Sequence, residues 1–503
     1  MINSILKDMD IPEAVFDKEP GYVDMYRKAW EIASGRVKSI EGLPQNPYMD
    51  EACWDTHIWI WDTAFMAFFT KYTPQYFPGV ESLKNFYLTM HDSKGDLPIG
   101  IQHPDNPPLF AWCEYSNWHF NQATSFGKGE KSAVKTIGFL IKHYQFFNNV
   151  PKGTRFGGAP TVLEHICNEQ GKTKGYLWNG VASGMDNTPR GRVFGLANTL
   201  WIDALAQQGL SALYIARLAR ETGDQSTAEE YQRNYEQIKK TVNDLYWDSE
   251  DNAYYDIHRE SELGAVRYSK ILTPASFWPL MAEMASPEQA QSMINHLQNE
   301  KKLGGTVPFV SLSRDDQEFN ADTGDYWRGG IWLPTSYMGI KSLEMYGHLA
   351  EADDIAERTV KHMLETYQNP DAHELNNGKP TIWECYDPGR PLPSTEGGRT
   401  ARPDFCGWSA LGPISMLIEN ILGFHVVDAR ERRIEWRLHQ RARHGVKKLR
   451  FGNIVTDIIY DGKTEVTVEC SEPFTLVING ISHNMDAGPN YITINAESGS
   501  GTS

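Results

Sequence analysis

Residues 197 to 245, ANTLWIDALAQQGLSALYIARLARETGDQSTAEEYQRNYEQIKKTVNDL, decide the fold. Within Ala197 to Glu221, the positions Ile202, Leu205, Ala206, Gly209, Leu213 and Ala216 step by three or four, so one helical face is apolar and must be buried. Gly223 follows as a stop, and Ser226 to Leu245 starts a second helix, making a helical hairpin with a short connection. The same pattern returns at Ile331 to Tyr346, with Gly347 as the stop, and at Glu351 to Thr366. Further helices are expected near Tyr22 to Ala33, Asp62 to Lys71, Val80 to Met90, Glu130 to Phe147, Pro274 to Ala285, Pro287 to Asn299 and Trp408 to Leu422. The sum is roughly eleven helices between residue 20 and about 424, without an exact sequence repeat.

Beyond about His425 the apolar period changes to two, as in Val466, Val468, Cys470 and then Phe474, Leu476, Ile478, with Asp461-Gly462 and Asn479-Gly480 as hairpin turns. The expected organisation is a helical domain over 1–424, a small β-domain over 425–496 and a flexible, linker-like tail over 497–503. Packing of the β-domain against the helical body is favoured over a separate sugar-binding role.

At about 150 residues per domain, 503 residues suggest three domains, but toroids and barrels spend more on one core. Lys plus Arg (48) against Asp plus Glu (65) gives −17, which repels phosphate backbones and anionic lipid; neither nucleic acid nor membrane is an expected partner. The six cysteines (Cys53, Cys113, Cys167, Cys385, Cys406 and Cys470) are scattered without metal-ligand spacing and read as reduced and mostly buried. No metal or cofactor is assigned. Charged residues and proline interrupt MINSILKDMDIPEAVFDKEP at every apolar step, and no apolar run approaches the ~20 residues of a spanning helix; the expected compartment is the cytoplasm.

Aromatics make 12% of the chain (15 Trp, 23 Tyr, 21 Phe), and several stand beside carboxylates. Trp59 and Trp61 precede Asp62, Trp327 and Arg328 follow Asp325, and Trp383 and Tyr386 flank Glu384. Flat apolar faces with paired acceptors suit sugars, whose C–H faces stack while their hydroxyls need polar partners. A single Trp is more often core; three such clusters are harder to explain by packing. The loop from Trp178 to Arg190 holds Asp186 with Asn187 and Arg190, more polar side chains than an Asx-turn or cap requires. Glu384 opens a Pro- and Gly-rich loop running to Pro403, a placement typical of clefts.

Four collinear stretches resemble glycoside hydrolase family 63: IWIWDTAF (58–65), SGMDNTPR (183–190), GDYWRGGIW (324–332) and WECYDP (383–388) with FCGWSALGP (405–413). The resemblance spans about residues 50 to 424 and implies an (α/α)6 toroid of six helical hairpins. It implies Asp186 as general acid and Glu384 as general base of an inverting hydrolysis of α-glycosides. The resemblance implies that Trp61, Asp62, Trp327 and Arg328 line the subsite for the cleaved sugar; the full set of expected substrate-binding residues adds Trp59, Gln102, Trp178, Asn187, Arg190, Trp332, Tyr386 and Trp408. The family's larger members carry an N-terminal β-domain not found here, and the loop DPGRPLPSTEGGRTARP leaves the leaving-group side undefined.

Inversion needs a protonated carboxyl over the glycosidic oxygen and an ionised one holding water on the opposite face, ~6.5–9.5 Å apart. Residues 186 and 384 are far apart in sequence, so the fold must join them. The leading expectation is an inverting α-glucosidase or α-mannosidase of small substrates, including mannosylglycerate or glucosylglycerate. For an anionic aglycone Arg390, Arg399 and Arg402 are candidates, although solvated loop charge is the favoured reading. The alternatives are an epimerase or lyase on the same toroid, or a non-catalytic carbohydrate-binding protein. The expected partner is a small-molecule or oligosaccharide substrate; oligomeric state is open.

Overall fold

Helix Ile202–Glu221 begins five residues later than its pattern suggests, because Thr199–Leu200 is extended and pairs with Leu177 and with Ile257–His258. Gly223, at φ +82°, ends the turn after it, and the Asp224 side chain accepts from Thr227 N (3.1 Å) to start the return helix Gln225–Thr241. The two pack closely at Gly209, where a Cβ would meet Met284 and Ile238. The computed structural model describes residues 6, 9–51, 56–91, 97–101, 104–156 and 161–494.

Six helical segments touch one another in a closed cycle: Ile60–Thr70, Phe110–Asn121, Ile202–Glu221, Trp278–Met281, Leu333–Met345 and Gly412–Ile421. Pro20–Ser34, Glu130–Asn149, Gln225–Thr241 and Leu349–Gln368 pack on this cycle, each by one buried face. Most expected helices appear within a few residues of their pattern. Val80 to Met90 breaks into two short turns, Gly79–Ser82 and Lys84–Tyr87, and Pro274 to Ala285 into a 3-10 turn and the short helix Trp278–Met281. Phe110–Asn121 has no counterpart among the expected helices: it is buried nearly all round, so no stripe marks it.

The C-terminal strands form two sheets. One is Val426–Asp428, Arg433–Trp436, Phe474–Ile478 and Ile481–Met485, with Asn479-Gly480, both at positive φ, as its hairpin turn. The other contains His444–Phe451, Ile454–Tyr460, Glu465–Cys470 and Gly488–Thr493. Glu13–Phe16 pairs antiparallel with His444–Phe451 in this second sheet. A cut at 424/425 therefore does not separate all β structure from the helical part. Among the described residues Cys113, Cys385, Cys406 and Cys470 are buried free thiols and Cys167 is an exposed one; Cys53 and the tail 497–503 lie outside them. No described helix is long and apolar enough to cross a membrane.

Candidate active site

A cleft of about 290 Å³ opens where several segments of the cycle begin. Trp59, Trp61 and Asp62 enter it from the first turn of Ile60–Thr70, Trp332 from the residue before Leu333–Met345, and Trp408 from just before the 3-10 turn that leads into Gly412–Ile421. Asp186 and Glu384 come from loops, and Trp327 from the 3-10 turn Tyr326–Arg328. Residues 198 apart in sequence thus share one space.

The two carboxyls meet different surroundings. Glu384 is 2% exposed, accepts from Tyr326 Oη (2.8 Å) and Arg402 Nη1 (3.2 Å) at Oε1, and accepts from Arg402 N (3.3 Å) at Oε2. Its backbone is equally fixed: its carbonyl accepts from Trp408 Nε1 (2.7 Å) and Ser409 Oγ (3.1 Å). Burial pushes its carboxyl up, while Arg402 and Tyr326 favour the charged form. Asp186 is exposed at the mouth of the cleft, where it also lines the adjoining pocket. Among the described residues no donor holds its carboxyl; desolvation first, and the nearby Glu384 second, push it up to about 7. One carboxyl is thus clamped by cationic and phenolic donors and the other is left to protonate near neutrality.

Asp62 is 8% exposed and driven well above the usual carboxylate range, first by burial, with Glu384 and Asp186 adding to it. Glu51, fully buried, is raised for the same first reason and by Asp62, and among the described residues its Oε1 has no hydrogen-bond partner. Gly184 sits at φ +80° where a Cβ would stand 2.9 Å from the Trp61 ring, so the Asp186 loop rests directly on that ring. Trp327 stacks on Trp332 at 4.0 Å and 8°. Their loop is held by Trp332 Nε1 donating to the Tyr326 carbonyl and by Asn187, which accepts from Trp327 N and donates to the Asp325 carbonyl.

Other expected contacts fall outside the cleft. Arg190 is fully buried between Asp203 and Asp256 in two bidentate pairs of 2.6–2.8 Å and stacks on Trp201, so its guanidinium is a structural rivet and not a sugar ligand. Trp178 is buried with Nε1 donating to the Asp105 carbonyl (2.6 Å), and the buried Tyr386 hydroxyl accepts from Trp383 N, behind Glu384. Asn187 acts on the Trp327 loop, as above, and not on the cleft. Arg328 lines an adjoining pocket of about 450 Å³ with Arg192 and Glu318, which shares Val181 and Asp186 with the cleft. Gln102 lies outside the described residues. Sequence reasoning missed Glu51, Asn106, Tyr326 and Glu396 in the cleft wall. Tyr326 stood inside the quoted GDYWRGGIW stretch, and that neighbourhood was its signal. Arg402, expected as solvated loop charge, instead holds Glu384, while Arg390 pairs with Asp387.

With this geometry in view, the relatives are informative. Residues 165–398 match the model of the Mannosylglycerate hydrolase MGH1-like glycoside hydrolase domain. A Borreliella burgdorferi protein without a functional name is 23% identical over 489 residues, 92% of this chain and 94% of its own. Mannosyl-oligosaccharide glucosidase of Saccharomyces cerevisiae is 27% identical over 314 residues, covering 58% of this chain and 35% of the yeast protein. The chain thus spans about a third of the yeast enzyme. Among solved structures, GH63 mannosylglycerate hydrolase from Thermus thermophilus in complex with Tris superposes with TM-score 0.53 at 16% identity, over 78% of this chain and 99% of that one, a likeness of fold. The chain carries a glycoside hydrolase domain, and its sequence relatives support glycoside hydrolase family 63.

Proposed function

We propose that this protein is an inverting glycoside hydrolase of α-linked glucosides or mannosides with small aglycones, built as an (α/α)6 toroid over about residues 20–424, with the β-sheets packed on it. The closed cycle of six helical segments and their outer partners supports the toroid. The observation that carries the function is the unequal pair of carboxyls in one tryptophan-walled cleft. Asp186 serves as the acid, because it protonates near neutrality and stands on the partition between the cleft and the adjoining pocket. A glycosidic oxygen bridging the two spaces would lie beside it, with the cleaved sugar against Trp61, Asp62 and Trp332 and the aglycone toward Arg328. Glu384 serves as the base: the donors from Tyr326 and Arg402 favour its ionised form and fix one orientation for activating water. Among the described residues no histidine lines the cleft, which weighs against an epimerase.

Leaving-group and anion rescue tests these roles. The Asp186→Asn variant should lose far less activity on α-glycosyl fluorides, whose leaving group needs no proton, than on disaccharides. Glu384→Ala should make room for azide and give the β-glycosyl azide, since attack comes from the face opposite the departing α-oxygen. An α-azide, or a first-formed sugar of retained configuration from the intact enzyme, overturns the assignment.

A further inference from the structure

The segments that begin at the cleft end at a second, larger cavity. Ile60–Thr70 carries Asp62 into the cleft by its first turn and Phe68 into this cavity by its last; Lys71 follows. At ~1.5 Å per residue the two ends are roughly 14 Å apart. Leu333–Met345 runs in the same sense from Trp332 at the cleft to Lys341, Glu344 and Met345 at the cavity, and the last segment runs from Trp408 before it to Glu419 within its final turn. An aromatic column fills the space between: Trp61 on Phe65 (4.8 Å), Phe65 on Trp112 (6.1 Å) and Trp112 on Phe68 (4.2 Å). The cavity, about 550 Å³, is therefore separate from the cleft, and strand Val426–Asp428 of the β-region forms part of its wall.

Its chemistry exceeds what packing needs. Glu419, 5% exposed, accepts from Lys71 (2.9 Å), Lys341 (2.7 Å), Tyr72 (2.7 Å) and Tyr337 (3.0 Å), and the two lysines hold its carboxyl down at about 2 against the opposing effect of burial. Burying such ions costs several kcal/mol each, and apolar side chains would fill the space at less cost. The cluster is also incomplete. Among the described residues Lys71 Nζ has one hydrogen-bond partner and Lys341 Nζ has two, of three donors each. The Trp112, Tyr115 and Tyr214 rings form the apolar side.

We propose that this cavity binds a neutral sugar or polyol, which stacks on these rings and takes the spare lysine donors with its hydroxyls. A cationic ligand is disfavoured because Lys71 and Lys341 already lie over the Tyr72 and Tyr337 rings, at 5.2 and 5.3 Å. An anion is disfavoured by Glu419, Glu344 and Asp428. A molecule with flat C–H faces and many hydroxyls meets both the rings and the mixed charges.

Calorimetric titration of the full chain carrying Asp62→Ala, which disables the cleft, with D-glucose, D-mannose and trehalose tests this without any assumption about hydrolysis. The expected result is saturable binding of at least one of them, with a Kd on the order of 1 mM, abolished by adding Ser116→Trp, which fills the cavity from its wall. Tyr115→Ala, which removes a ring and keeps the volume open, should weaken the same binding at least about tenfold and guards against a misfolded Ser116→Trp chain. Absence of saturable binding by all three sugars, or binding unchanged by both cavity variants, overturns the proposal.

Discussion

At the scale of single residues, Asp186 and Glu384 lie in unequal environments, and the proposed division into acid and base rests on that inequality. A catalytic acid at Asp186 must be protonated, and its carboxyl is raised to about 7. The rate kcat/KM should therefore fall as pH rises through about 7, and a pH–rate profile of Asp186→Asn on a glycosyl fluoride should lack that alkaline limb. Tyr326→Phe removes a hydrogen bond to the charged form of Glu384, which raises its pKa. The acidic limb should move to higher pH and kcat should drop about tenfold; an unmoved limb would separate Tyr326 from the base. Asp62→Ala should cost on the order of 100-fold in kcat/KM, because buried sugar hydroxyls lose a hydrogen-bonding partner. The sequence pointed to the two carboxyls on different grounds: Trp383 and Tyr386 flank Glu384, whereas Asp186 stands in a glycine-interrupted loop with Asn187 and Arg190, more polar side chains than a turn requires. Arg190 misled there: its partners Asp203 and Asp256 lie in other elements, and only the fold shows them.

At the scale of elements, that rivet joins the Asp186 loop to the start of Ile202–Glu221 and to the strand region before Ile257. Arg190→Met should leave two buried carboxylates unpaired and lower stability by about 3–5 kcal/mol, read as a fall in the denaturation midpoint. Gly184→Ala should act more locally, since a methyl there meets the Trp61 ring and φ is +80°. Activity should fall more than tenfold, while the stability loss stays within about 1–3 kcal/mol; a fully active, equally stable variant would mean that the loop moves aside freely. Helices with one apolar face and capped ends were readable to within a few residues. Phe110–Asn121 was not, because burial on all sides erases the stripe that periodicity detects. The short strands Thr199–Leu200 and Ile257–His258 were missed because two-residue pairings leave no pattern; their partners specify them.

At the scale of the whole molecule, the helical part and the β-region are joined through His119, which bonds Asp428 (2.7 Å) and Glu221 (3.1 Å). Despite burial, these two carboxylates raise its pKa to about 9 from the ordinary 6.5. A raised histidine stabilises fully below about 6.5, and its contribution is lost as pH climbs through about 9. Urea denaturation should show a loss of about 1 kcal/mol or more between pH 6 and 9.5, and His119→Gln should flatten that dependence. The strand Glu13–Phe16 carries a different consequence. Its partner His444–Phe451 lies more than 400 residues further along the chain. At the ~5–20 residues per second of synthesis, those four residues wait roughly 20–90 s on the ribosome with an unpaired edge, longer than a helical hairpin needs to form. The helices up to Leu333–Met345 can therefore assemble while this strand is still vacant, whereas the cleft also needs Glu384, Arg402 and Trp408, made shortly before His444, so cleft and β-region are expected to be completed close together in time.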